Sequence, residues 1–145
     1  MFTVVESVTI DQPLARVFDT TADPLNQLKW DRDMLRSVEK ITPGPLARGS
    51  RYRGDFKGFG VVEYEFVEYE PQRRFAHLSA MKMGAMRHTV SFEAVPAGTR
   101  VTQEGQNQPN FLGRLMWPVM RGFLRRRFRT IAAEVGGYLA SSAQA

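Results

Sequence analysis

The chain has 145 residues, 43% of them apolar and none of them cysteine. That suffices for one core and excludes a disulfide scaffold or a thiolate zinc site. No run approaches the roughly 18 apolar residues of a transmembrane helix, and the opening MFTVVESVTI lacks the basic-then-apolar order of a signal peptide, so a soluble, cytoplasmic protein is expected. The net charge of +5 is uneven: residues 1–108 hold 14 basic and 14 acidic side chains, whereas from Pro109 onward six arginines face Glu134 alone.

Thr3 to Ile10 alternates and is rich in β-formers, which predicts a strand. Asp11, two residues before Pro13, is placed to cap a following helix that tolerates proline in its first turn. That helix is short, with Leu14, Val17 and Phe18 on one side. Pro24 opens a second short element ending near Trp30, and a loop or short strand runs on to Ile41. Pro43 to Gly49 is a turn. Next come two strands joined by a bend at Gly58 and Gly60. Tyr52 and Phe56 share one face of the first; Val62, Tyr64 and Phe66 oppose Glu63, Glu65 and Glu68 in the second. Period two with one polar face indicates antiparallel sheet with a wet outer side. Phe75 to Ala80, Met86 to Val95 and Arg100 to Gln106 give three more strands, the last two joined by the tight turn Pro96 to Thr99. Trp117, Met120, Leu124, Phe128, Ile131 and Val135 then step by three or four, the stripe of a long amphipathic helix. Pro118 sits in its first turn or marks a kink after a shorter helical piece.

No linker divides the chain, so residues 1–145 are read as a single ligand-binding domain. The expected class is α+β in the order β-α-α-β6-α: a strongly curved antiparallel sheet of about seven strands wrapped around the long C-terminal helix. One helix does not fill such a sheet, which leaves room for an apolar cavity between them.

The segments VESVTIDQPLARVFDTTAD, LKWD, GSRYRGDF and EYEPQRRFAH, the hairpin HTVSFEAVPAGTRVT and the terminal helix together resemble the START-like superfamily with the helix-grip fold, also called SRPBCC. Its polyketide cyclase/dehydrase and lipid-transport-like members are the most similar. Asp11 and Pro13 match the strand-to-helix turn, Trp30 the loop at the second helix, and Gly98, Thr99 and Arg100 the last hairpin. The likeness covers nearly all of residues 3–140. These motifs specify structure, and activity has to be argued from the site.

The leading functional reading is binding of a small hydrophobic or lipid-like molecule between sheet and helix. Ligand contacts are expected from Trp30, Tyr52, Phe56, Tyr64, Phe66, Met86, His88, Val90, Phe92, Leu124 and Phe128. His88 shares parity with Val90 and Phe92; the face of His77, and whether Glu6 points inward or lies at a surface, stay open. No cofactor is expected, and no metal, because the two histidines lack close ligand spacing. No phosphate loop or nucleophile elbow is present. The alternatives are a polyketide cyclase/dehydratase-like enzyme, with His88 or a tyrosine moving protons, and an interaction module using Leu115, Val119 and Phe123 of the C-terminal helix. Arg121, Arg125 and Arg129 share one helix flank, which suits weak contact with an anionic membrane; Arg127 falls nearer the apolar side and is expected to snorkel past it. Nucleic acid is not an expected partner, because no recognition-helix motif accompanies the arginines.

Overall fold

The computed structural model describes residues 2–143. The elements are β1 (Phe2–Ile10), α1 (Leu14–Ala22), α2 (Pro24–Trp30), β2 (Leu35–Lys40), β3 (Arg51–Phe56), β4 (Gly60–Glu70), β5 (Arg74–Met81), β6 (Gly84–Val95), β7 (Gly98–Pro109), α3 (Phe111–Leu115) and α4 (Trp117–Ala143). Asp11 does not cap α1: Pro13 occupies the N-cap and no side chain caps the helix. At α2 the proline-led start is capped by Asp23, whose side chain accepts from the Leu25 amide at 2.9 Å. The β6–β7 turn needs Gly98 (φ +133°), since a Cβ there would meet the Ile10 carbonyl at 2.2 Å. The break before the long helix is real: a five-residue α3 ends at Leu115 with Met116 as its C-cap, and Pro118 lies in the first turn of α4.

All seven strands form one antiparallel sheet in the order β1-β7-β6-β5-β4-β3-β2. This corrects the expected strongly curved sheet wrapped around the helix. The sheet is open, with β1 and β2 as unjoined edges at its two ends. Sharp bending of a sheet is usually built from bulges, and the register shifts only between Leu35 and Ser37 and between Phe66 and Glu68. Nor is α4 encircled: it packs on β1 and β7, while α1 covers β6 and β7 and α2 lies on β2. What remains is an α+β helix-grip fold with a seven-stranded antiparallel sheet and a C-terminal helix.

Two core clusters follow from this layout. The larger centres on α1, whose Phe18 meets Phe75 and Phe92 edge-on at centroid distances of 6.3 and 5.1 Å. Val4, Leu124 and Phe128 form the smaller one, where α4 crosses β1. Between them the inner face of the sheet is not covered. No helix among the described residues is long and apolar enough to cross a membrane.

Candidate functional site: a cavity between sheet and helix

A cavity of about 700 Å³ occupies the uncovered space, bounded by β3 to β7, the end of α1, α2 and the first half of α4. Its wall is mostly apolar, and a few polar groups meet on the sheet side. His77 and His88 are direct partners across the β5–β6 hairpin, with ring centroids 5.2 Å apart. Tyr64, from the adjacent strand, lies 5.0 Å from the His77 ring. Phe128 of α4 stacks flat on His88 at 4.8 Å, an approach open because Gly105 opposes His88: a Cβ there would lie 3.1 Å from the Phe128 ring.

The hydrogen bonds fix one tautomer. Gln103 is buried and donates from Nε2 to the Phe128 carbonyl at 2.7 Å, so its Oε1 is the atom facing His88 Nε2 at 3.2 Å. An amide oxygen only accepts, so His88 Nε2 carries the proton and its Nδ1 is an acceptor. His77 is surrounded by aromatic rings, and no side-chain hydrogen bond among the described residues reaches it. The Tyr64 hydroxyl is buried and has no partner among the described residues.

Burial sets the protonation states. Loss of water pushes His77 down to about 3, and His88 beside it adds to the shift. Burial likewise pushes His88 down to about 4, against the Gln103 hydrogen bond that favours its charged form, with Arg127 lowering it further. The Tyr64 phenol is raised well above its ordinary value by burial. At neutral pH all three groups are therefore uncharged.

Two cations reach the wall: Lys82 is exposed at the rim, and the buried one, Arg127, is neutralised. Arg127 turns inward rather than snorkelling outward, and its guanidinium forms a two-pronged pair with Asp31, which closes α2. Burial alone would raise the Asp31 carboxyl. Hydrogen bonds and charge from Arg127, with donors from Gln27 and the Met34 amide, outweigh it and hold the pKa below the usual carboxylate range. Nearby Glu134 is raised, first by burial and then by the Asp31 charge.

Of the residues singled out in the sequence, Trp30, Phe56, Tyr64, Met86, His88, Val90, Leu124 and Phe128 line the cavity. Tyr52, Phe66 and Phe92 do not. They share the inner face but are packed shut in the larger core, with Tyr52 stacked on Tyr64 at 5.8 Å and Phe92 covered by Phe18; burial lifts Tyr52 to about 12. Trp30 also donates from Nε1 to the Thr20 carbonyl at 2.9 Å. Glu6 lies on the α4 side of β1 and pairs with Arg129 at 3.0 Å. That internal pair takes Arg129 out of the basic flank expected to meet a membrane. His77, Gln103 and Arg127 enter the wall without having been proposed as contacts. No cluster of three metal-binding side chains occurs among the described residues.

Solved structures share this architecture. Protein MLL2253 from Mesorhizobium loti superposes with a TM-score of 0.77 at 16% identity, over 97% of this chain and 98% of that one. TTHA0849 from Thermus thermophilus gives 0.75 at 17%, over 97% and 99%. DynU16, from the dynemicin biosynthetic locus, gives 0.74 at 16%, over 97% of this chain but 48% of its own. At such identities the likeness concerns the fold alone. None of the curated proteins matches the chain. The family model for polyketide cyclase / dehydrase and lipid transport matches residues 1–136, and the chain belongs to that family, within the helix-grip superfamily.

Proposed function

We propose that the protein binds one uncharged, largely apolar molecule that carries a hydrogen-bonding group, seated between the sheet and α4. The observation that carries this reading is the Tyr64 hydroxyl, buried against the cavity without a partner among the described residues. A buried polar atom left unpaired costs free energy. A ligand oxygen would supply the missing acceptor, and His77 beside it offers two further ring nitrogens. The buried part of the wall holds no unpaired charge among the described residues, Lys82 being exposed to water at the rim, which favours an uncharged occupant. The volume, about 700 Å³, suits a drug-sized molecule or a small lipid.

Nile red, which is uncharged and has a carbonyl acceptor, is a suitable probe by fluorescence titration. Tyr64→Phe is expected to weaken its binding by roughly 3- to 10-fold, the worth of one hydrogen bond, without loss of stability. Ser79→Trp, which fills the cavity, is expected to abolish binding. Equal binding by the wild type and Ser79→Trp would place the probe elsewhere and sink the reading.

A second reading, cyclase- or dehydratase-type catalysis, is favoured by the meeting of Tyr64, His77 and His88 in one cavity. Enclosure would hold a flexible substrate in a reactive shape. The imidazoles are weak bases at their lowered pKa values, so their contribution to proton transfer near neutral pH would be small.

A further inference from the structure

The rim of the cavity has a composition that the interior does not explain. α3 is tied to the β5–β6 turn by its small and polar residues. Asn110 donates from Nδ2 to the Lys82 carbonyl at 2.7 Å, the Asn110 amide donates to the Met83 carbonyl at 3.1 Å, and Gly113 packs so closely that a Cβ would meet that same carbonyl at 2.2 Å. With glycine inward, the large apolar side chains of this short helix turn outward. Phe111 is 84% exposed and Leu115 68%; one turn on, Val119 is 66% exposed. Across the mouth the β3–β4 turn presents Phe59, whose ring meets exposed Phe123 at 5.3 Å. Contiguous exposed apolar surface of this kind is uncommon on monomeric proteins unless it serves contact.

Charge decides between the occupants. Lys57, Lys82, Arg114 and Arg121 are exposed at the same end of the molecule, and none forms an ion pair among the described residues. Elsewhere Arg53, Arg73, Arg74, Arg87 and Arg100 are matched to glutamates, while among the described residues Arg36, Arg48 and Arg51 lack an ion pair but have no comparable exposed apolar cluster beside them. A second copy docking by a two-fold axis would bring like cations face to face. An anionic bilayer offers acyl chains to the apolar residues and phosphate charge to the cations. We propose that the cavity mouth, framed by α3, the start of α4 and the β3–β4 and β5–β6 turns, docks on anionic lipid surfaces, with Phe111 and Leu115 entering the headgroup layer. This surface shares Arg121 with the Arg121, Arg125 and Arg129 flank expected from the sequence but not the other two, and it adds an exposed aromatic wedge, Phe111.

Vesicle co-sedimentation of the full chain, without added ligand, tests this. The wild type is expected to pellet with phosphatidylcholine vesicles containing about 30% phosphatidylserine, to pellet far less with phosphatidylcholine alone, and to be released by salt. Arg114→Gln with Arg121→Gln should lower partitioning on the order of 10-fold and flatten its salt dependence. Phe111→Ser with Leu115→Ser, both exposed and so tolerated by the fold, should lower it at every salt concentration. Arg73→Gln, at the opposite end, should change nothing. Failure of the wild type to pellet overturns the proposal, as does an equal loss in Arg73→Gln, which would indicate bulk charge. Self-association by analytical ultracentrifugation that is lost in the Phe111/Leu115 variant would also overturn it, in favour of a second copy. The cavity-filled Ser79→Trp protein is expected to dock like the wild type, so failure here and failure of the ligand reading are separate results.

Discussion

His77 and His88 face each other because the β5–β6 turn fixes their register: Met81 pairs with Gly84, and four steps back along each strand bring the two imidazoles together. The sequence held that signal in the turn at Lys82 and Met83, but parity taken one strand at a time left the face of His77 open. Parity did put Tyr64, His88 and Val90 on the inner face, where they lie. It could not separate Tyr64 from Tyr52, because both point inward and only the placement of α1 decides which part of that face is covered. The histidines make a pH prediction. An ordinary imidazole titrates near 6.5, and these are held at about 3 and about 4. Between pH 6.5 and about 4 the unfolded chain binds protons that the folded chain refuses. Stability is therefore full above that window and falls as the pH falls through it, by up to about 1.4 kcal/mol per pH unit for each imidazole. Urea unfolding at about pH 7, 6 and 5 should show this slope, and His77→Phe should reduce it. An unchanged slope in the variant would mean that His77 titrates in water like an exposed side chain.

Helix α4 is where the sequence was most and least informative. Its stripe of Leu124, Phe128 and Val135 is buried, as the three-and-four spacing requires. Arg127 sits beside that stripe, and nothing local to it announced Asp31, 96 residues away. The pair joins the end of α2 to the middle of α4, with a side-chain exposure of 10% for Arg127 and none for Asp31. Removing one member of such a pair leaves the other desolvated and alone, typically at a cost of about 3–5 kcal/mol. Asp31→Asn is accordingly expected to destabilise by about that amount in chemical denaturation. Adding Arg127→Met should recover part of the loss, because the stranded cation is then gone. A double variant no more stable than Asp31→Asn alone would show that the cost lies in the helix end and its hydrogen bonds to Gln27 and Met34. The depressed carboxyl of Asp31 adds a second acid-labile contribution, present above its ordinary value near 4 and lost as pH falls through its lower folded value.

At the scale of the whole molecule, the element order and the antiparallel sheet were legible from alternation and turn residues, while the shape of the sheet was not. Closure depends on whether β1, paired with β7, also meets β2 at the other end, and alternation is blind to partner choice. The open sheet also leaves the cavity roofed by one helix, so an occupant should stabilise the whole fold through mass action. At 100 times its dissociation constant a ligand adds about 2.7 kcal/mol, which in a chain of this size raises Tm by roughly 5–10 °C. Differential scanning fluorimetry with uncharged apolar compounds should find such shifts in the wild type and none in Ser79→Trp. The linear strand order carries a further consequence, for assembly. Strands β2 to β7 follow one another as hairpins and can zip up locally, but β1 pairs Phe2 with Asn107 and has to wait for a partner about a hundred residues later. That one long closure is the slow, high-contact-order step of an otherwise local topology. The edge it completes is the one α4 then rests on, so the roof of the cavity is set by the last contacts the chain makes, and a partly folded chain presents an unroofed groove.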